Sequence, residues 1–270
     1  MPIFSHQGIS FNYIDLEEGI PFIFQHGLGG SVEQPLGIFT PPVGIRFLSL
    51  DFRGHGETPL GPEAKLNFNT FADDLIALMD HLHIEKAVTG GISMGAAVAL
   101  NFVLRYPERT LGSVFSRPAW LDQAMDQDIR DLFAEIVELL LVDGVEVGRE
   151  NLKFSARYKE MEQESPAVAQ SFLGYFDYKF AVKTAKKYLA MPADSPCKNR
   201  QEWKLIETPV LIMANGADPI HKLEYGKVMS NIIPGAVFHE ITAKSIDSKV
   251  HMLDVQKYLE EFLKKNFLNA

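Results

Sequence analysis

One serine stands between two glycines at a predicted turn from a strand to a helix. Ser93 is the centre of Gly91-Ile92-Ser93-Met94-Gly95, between the apolar runs KAVTGG (86–91) and AAVALNFVLRYPER (96–109). A sharp strand-to-helix turn strains its central residue, and a Cβ two positions before or after it would collide with the neighbouring chain. This G-x-S-x-G pattern therefore predicts that Ser93 is an exposed nucleophile.

Two backbone amides could bind the oxyanion that forms when such a nucleophile attacks a carbonyl. The predicted helix begins at Met94, and the amides at a helix N-terminus favour negative charge. A second donor should come from the loop after an earlier strand, where HGLGG (26–30) follows the apolar run at 21–25. We expect this donor to be the amide of Leu28, with a plain glycine-rich turn as the alternative.

A serine nucleophile of this kind needs a histidine base and a carboxylate that orients it. Asp218 comes directly after a predicted strand, although an Asp-Pro pair in that position is also a common turn. Three histidines follow. His239 lies inside a strand pattern and His221 is expected to open a helix, whereas His251 lies in a predicted loop before the last amphipathic helix. We therefore predict Ser93, Asp218 and His251 as the catalytic residues.

The order serine, aspartate, histidine resembles that of the α/β-hydrolase superfamily, and the resemblance extends over essentially the whole chain. Its motifs follow in the expected order: HGLGG (26–30), DFRGHGET (51–58), GISMG (91–95), NGADPIH (215–221) and the late His251. One departure is Val250, where relatives usually carry a glycine before the catalytic histidine. The family's pattern implies a structural turn in DFRGHG, so Arg53 and His55 are not assigned to chemistry.

The resemblance implies a serine hydrolase that cleaves a carboxylic ester, a thioester or a lactone through an acyl-enzyme. Haloalkane dehalogenases and epoxide hydrolases are disfavoured because they use an aspartate at the position of Ser93. Carbon-carbon bond hydrolases and cofactor-free haloperoxidases use the same three residue types and remain alternatives. A slow-turnover, ligand-binding receptor on a hydrolase scaffold is the alternative from a different functional class.

Short apolar runs alternate with helical patterns, which is typical of βαβ units around a parallel sheet. The predicted strands are GISFNYID, PFIFQHG, IRFLSLD (45–51), KAVTGG (86–91), LGSVFSR (111–117), PVLIMANG (209–216) and AVFHEI (236–241). Residues 120–207 contain helical patterns with hardly a strand signal. We therefore predict an α/β-hydrolase fold with a mostly parallel central sheet flanked by helices. Its core is formed by residues 1–119 and 208–270, and residues 120–207 form an inserted helical cap.

The predicted cap carries clustered aromatic residues above the expected site. Phe172, Tyr175 and Phe176 could hold the cap helices together, and some could line a mainly apolar substrate pocket. Arg117 and Trp120 lie where the cap would meet the core, so they could contact substrate. A structural salt bridge for Arg117 and packing for Trp120 are the alternatives.

Composition and motif spacing disfavour several classes of partner and cofactor. The net charge of -9 and the spread of acidic residues leave no basic stripe for nucleic acid. No apolar run is long enough to span a bilayer and no signal peptide is visible, so we expect a cytoplasmic protein without membrane contact. The lone Cys197, expected in a polar surface loop, cannot form an internal disulfide. The histidines are scattered, and no paired cysteine and no Walker or dinucleotide glycine fingerprint appears, so we expect no metal and no cofactor. We also expect a small-molecule substrate and a monomer or homodimer.

Overall fold

The computed structural model describes residues 1–268, and an eight-stranded sheet lies at its centre. The strands are β1 (Ile3–His6), β2 (Ile9–Leu16), β3 (Gly19–Gln25), β4 (Gly44–Leu50), β5 (Ala87–Ile92), β6 (Thr110–Ser116), β7 (Val210–Ala214) and β8 (Val237–Glu240). Their order in the sheet is β1-β2-β4-β3-β5-β6-β7-β8. β2 is antiparallel to β1 and β4, and every other neighbouring pair is parallel. The predicted mostly parallel α/β architecture is confirmed.

Helices cover both faces of this sheet, which is why its central strands are continuously apolar or small. Within residues 1–268 the α-helices are α1 (Glu33–Ile38), α2 (Phe68–His81), α3 (Met94–Arg105), α4 (Gln127–Val142), α5 (Gly144–Phe154), α6 (Ala156–Glu164), α7 (Pro166–Leu173), α8 (Ala181–Thr184), α9 (Lys187–Ala193), α10 (Leu223–Ile232) and α11 (Ser248–Leu263). α2 and α3 contribute to one apolar core, and α11 packs its buried side chains into a second. In the described part of the chain, none of these helices is both long and apolar enough to cross a bilayer.

The point where the chain reverses its direction across the sheet lies at β3. The chain passes from β3 to β4 on one side and then to β5 on the other side of β3. Gln25 at the end of β3 therefore pairs with Gly91 near the end of β5. Ligands of open α/β sheets bind outside the carboxyl ends of the strands at such a point. This register brings the loop after β3 against the turn after β5.

The segment between β6 and β7 contains the helices α4 to α9. Its apolar side chains join the same buried cluster as α2 and α3, so the segment is packed onto the sheet domain. Trp120 links the two parts, because its indole packs edge-on against Phe68 of α2 with ring centres 5.3 Å apart. We propose that residues 120–207 are an inserted cap, as the sequence predicts.

Three local features differ from the sequence-based expectations. β1 is an additional strand, which pairs with β2 in a hairpin at the edge of the sheet. Cys197 is buried rather than on the surface, and its Sγ accepts a hydrogen bond from Trp203 Nε1 at 3.2 Å. His251 lies inside α11 and not in the loop before it, because the Asp247 side chain caps the helix from Ser248 onward.

Candidate functional site

Ser93 occupies the strained turn that the sequence predicts. Its φ is +56°, a region that non-glycine residues seldom adopt, and it connects β5 directly to α3. A Cβ on Gly91 would lie 2.5 Å from the backbone of Gly95, and a Cβ on Gly95 would lie 2.6 Å from the carbonyl oxygen of Gln25. The two glycines therefore allow the close approach of three chain segments, as expected.

The loop after β3 lies directly against Ser93. A Cβ on Gly27 would be 3.4 Å from Ser93 Cβ, and Leu28 lines the cavity beside the serine. The loop is held by Gln34, whose Oε1 accepts from Gly27 N at 2.7 Å, and by a turn in which Gly30 N donates to Gly27 O at 3.0 Å. These hydrogen bonds hold the backbone on both sides of Leu28.

His26 holds this loop through hydrogen bonds, a structural role that the sequence did not reveal. Phe52 N donates to His26 Nε2 at 3.2 Å, so Nε2 is unprotonated and Nδ1 carries the hydrogen. His26 Nδ1 then donates to Gly27 O at 2.8 Å. Burial lowers the pKa of His26, which favours this neutral form.

The histidine beside Ser93 is His221. Its Nε2 lies 2.9 Å from Ser93 Oγ, and its Nδ1 lies 2.9 Å from Asp218 Oδ2. The backbone also connects the two residues, because His221 N donates to Asp218 Oδ1 at 3.0 Å. With a hydrogen on Nδ1, the imidazole donates to Asp218 and can accept the Ser93 hydroxyl proton at Nε2.

This arrangement corrects the expected placement of His251. The His251 imidazole is buried, and its Nδ1 donates to Thr242 O at 2.8 Å. His221, expected to open a helix, instead lies in the loop after β7, and α10 begins only at Leu223. His239, interpreted as structural, lies in β8 and stacks on Tyr258.

Arg117 contacts both Asp218 and His221. It follows β6 with a φ of +49°, and its Nη2 donates to Asp218 Oδ2 at 2.6 Å. The same Nη2 lies 3.0 Å from His221 Nδ1, and Nε donates to Asn215 Oδ1 at 3.1 Å. Arg117 thus shares one carboxylate oxygen with the imidazole.

The environment favours an ionised aspartate and a neutral histidine. Burial raises the pKa of Asp218, but His221 and Arg117 outweigh burial and hold the pKa well below its usual value. Burial and the Arg117 charge lower the pKa of His221, although Asp218 opposes them. A neutral imidazole is the form that can act as a base toward a hydroxyl group.

A cavity of about 440 Å³ opens above Ser93. Of the sequence-predicted contact residues, Arg117, Trp120 and Tyr175 line it. Phe172 and Phe176 do not line it: they are buried in the cap, where Phe172 packs edge-on against Tyr175. Lining residues that were not predicted come from separated segments, namely Gln34, Met125, Phe133, Ala167, Val168, Ser171, Gly174, Ile220, Lys244 and Ser245.

Residues 1–268 contain no group of three or more His, Cys, Asp or Glu side chains that could hold a metal ion.

Comparisons with known proteins agree with the observed fold. A family model described as alpha/beta hydrolase fold matches residues 20–247. An AB hydrolase superfamily protein, YisY, from Bacillus subtilis is 25% identical, covering 79% of this chain and 80% of the relative. A 3-oxoadipate enol-lactonase from Acinetobacter baylyi is 24% identical, covering 99% of this chain and 100% of the relative. The crystal structure of an enol-lactonase from Burkholderia xenovorans superposes with a TM-score of 0.74 at 21% identity, covering 97% of this chain and 100% of that chain.

Proposed function

The chain belongs to the α/β-hydrolase fold family and is an α/β-hydrolase enzyme, and from this we propose that it hydrolyses carboxylic esters or lactones. In this proposal Ser93 is the nucleophile, His221 the general base and Asp218 the carboxylate that orients the base. The observation that carries it is the continuous series Ser93 Oγ, His221 Nε2, His221 Nδ1 and Asp218 Oδ2, with 2.9 Å at each of its two hydrogen bonds.

Acylation begins when His221 Nε2 takes the Ser93 hydroxyl proton while Oγ attacks the carbonyl carbon of the substrate. The carbonyl oxygen becomes an oxyanion, which the amides of Met94 and Leu28 bind. Each such donor contributes roughly 3 kcal/mol to transition-state stabilisation. The imidazolium then gives its proton to the leaving alcohol, or to the alkoxide of an opened lactone, and the acyl group stays on Ser93.

Deacylation repeats these steps with water as the nucleophile. His221 takes a proton from water, the hydroxide attacks the acyl carbon, and Ser93 Oγ leaves with the proton that the imidazolium returns. Asp218 stabilises the imidazolium in both halves without taking its proton. The products are a carboxylic acid and an alcohol, or one hydroxy acid from a lactone.

The volume and lining of the cavity support a substrate of small to medium size. A volume of about 440 Å³ is in the lower part of the usual range for small-molecule pockets. Phe133, Trp120 and Tyr175 provide aromatic surface, and glycines of the loop after β3 line the side near Ser93. Two full-length relatives named enol-lactonases support a lactone as well as an open ester.

The test is acyl transfer to Ser93 itself. The protein is mixed with a series of p-nitrophenyl esters and simple lactones, and the acylated residue is located by peptide mass spectrometry. We expect an adduct on Ser93 and loss of turnover in Ser93→Ala. Ser245→Ala is the matched control, since this serine lines the same cavity and should leave turnover unchanged. An adduct on a different residue, or turnover that survives in Ser93→Ala, contradicts the proposal.

A further inference from the structure

The charge inside the cavity is opposite to that of the whole protein. The chain carries a net charge of -9, yet the charged side chains that line the cavity are Arg117, Lys244 and Asp218. His221 is partly buried and has a lowered pKa, so it contributes no charge while it is neutral. The lining therefore holds two cations and one carboxylate, and that carboxylate is already hydrogen-bonded to His221.

Arg117 has hydrogen-bonding capacity that the protein does not use. Its Nε and Nη2 bind Asn215 and Asp218, but no acceptor in residues 1–268 is bonded to Nη1. The side chain is 17% exposed and forms part of the cavity wall. A guanidinium has five N–H groups in a planar fork that fits a second carboxylate.

Lys244 is a second cation that lacks a carboxylate partner among the described residues. It lies in the loop between β8 and α11, is exposed, and lines the cavity next to Ser245. By contrast Lys222, which lies in the loop after β7, is paired with Asp126 at 2.6 Å. An unpaired ammonium at the rim of a cavity can bind an anion that enters it.

We propose that the cavity takes esters or lactones whose acyl part carries a carboxylate, and that Arg117 and Lys244 bind this carboxylate. The inference rests on the proposed hydrolase function, because it names the substrate class of the same site. Arg117 Nη2 is 3.0 Å from His221 Nδ1, and His221 Nε2 is 2.9 Å from Ser93 Oγ. A carboxylate held by Arg117 would thus be separated from the scissile carbonyl by a few carbon atoms.

The experiment compares matched substrates that differ only in charge. Mono-p-nitrophenyl esters of linear dicarboxylic acids are prepared in several chain lengths, each with the free carboxylate and as its methyl ester. We expect kcat/KM to be about tenfold higher for the carboxylate form at the best chain length. Equal rates, or faster hydrolysis of the methyl esters at every length, would overturn the proposal.

Three variants assign the effect to residues. Lys244→Gln should lower kcat/KM of the carboxylate substrate about three- to fivefold, through KM, and leave the methyl ester unchanged. Lys249→Gln removes the same charge from an exposed position that does not line the cavity, and it should change neither. Arg117→Gln should slow both substrates, because Arg117 contacts Asp218, but it should also reduce the ratio between them by about two- to threefold. A Lys244→Gln variant that slows both substrates equally contradicts the assignment.

A binding measurement separates this inference from the hydrolase proposal. Monomethyl esters of the same dicarboxylic acids are titrated into Ser93→Ala by calorimetry, with the dimethyl esters as neutral counterparts. We expect binding of the monoanion only, weakened by Lys244→Gln. Binding without hydrolysis by the unmodified protein would refute the proposed function and support the anion site. Hydrolysis of neutral esters without monoanion binding would refute the anion site alone.

Discussion

Asp218 and His221 lie three residues apart in one loop and hold each other through both side chain and backbone. His221 Nδ1 is 2.9 Å from Asp218 Oδ2, and His221 N donates to Asp218 Oδ1 at 3.0 Å. The proposed carboxylate and base therefore lie in one loop, and only Ser93 comes from a separate element. This local pairing carries the proposed chemistry and determines the protonation state of the base.

The pH dependence of hydrolysis should report the charge next to His221. Burial and Arg117 lower the pKa of His221 below 6.5, and the base must be neutral. We expect kcat/KM to stay constant from neutral pH to below 6.5 and to fall only as pH drops through the lowered pKa. In Arg117→Gln the pKa rises, so the acid limb should move up by roughly half to one pH unit.

Arg109→Gln is the control for this shift. Arg109 is also partly buried and also paired with an aspartate, Asp80, at 2.7 Å, but it does not line the cavity. Its removal should leave the acid limb in place. Identical pH profiles for the two arginine variants would contradict the electrostatic influence of Arg117 on His221.

The glycines around Ser93 should tolerate no side chain. In Gly95→Ala the new Cβ would lie 2.6 Å from Gln25 O and 2.8 Å from His26 O. We expect loss of acylation together with lower stability, although alanine is the better helix former. Gly37→Ala in α1 is the control, since a Cβ there meets nothing within 4 Å, and it should stabilise the protein by roughly 0.5–1 kcal/mol. Chemical unfolding and ester turnover measure both effects.

A buried lysine between cap and core should make stability depend on pH. Lys187 in α9 is fully buried, and its Nζ donates to Gly54 O and Thr184 Oγ1. Burial lowers the pKa of Lys187 from 10.5 to about 7. The folded state therefore gives up the proton that the unfolded chain keeps between these two values, so stability should rise with pH in that window. The slope should approach roughly 1.4 kcal/mol per pH unit.

Lys187→Met removes this dependence. The free energy of unfolding of the unmodified protein, measured relative to this variant, should increase from pH 7 to pH 9.5. Lys186→Met, at a neighbouring position whose side chain is 44% exposed, should follow the unmodified protein. A constant difference between the unmodified protein and Lys187→Met over this range would contradict the effect of burial on Lys187.

Much of the fold and the position of the serine could be predicted because these features have local causes. Strands buried on both faces read as apolar runs, and glycines at Gly91 and Gly95 mark the close approach of backbones around Ser93. The loop at Gly27 was found for the same reason. β1 escaped prediction because an edge strand of four residues, IFSH, with one buried side chain has hardly any periodic signal.

The histidine could not be chosen from the sequence because two local details decide its environment. The first is where each neighbouring helix begins: α10 starts at Leu223, which leaves His221 in the loop, whereas the Asp247 cap draws His251 into α11. The second is the fold of the loop after β7, which turns His221 back onto Asp218. The Asp247 cap was a readable signal, since aspartate before a helical pattern favours an N-terminus.

The cavity lining was only partly predictable, because it is assembled from distant segments. Tyr175 lines it while its neighbours Phe172 and Phe176 pack inside the cap, and helix spacing alone does not reveal which side faces the site. Lys244 lies in a loop whose course depends on tertiary packing. The cytoplasmic location, the monomer or homodimer state, and the absence of nucleic-acid and membrane partners stay predictions.

Single-turnover acylation of His221→Ala and His251→Ala tests the central claim most directly. Each variant is mixed with a p-nitrophenyl ester, and the burst of p-nitrophenol is followed with thermal unfolding as the control for folding. His221→Gln and His251→Gln repeat the comparison with side chains closer in size. We predict that loss of His221 slows acylation about 10³-fold or more, while loss of His251 leaves it within about tenfold. Normal acylation without His221, together with its loss in a folded His251 variant, would contradict the account.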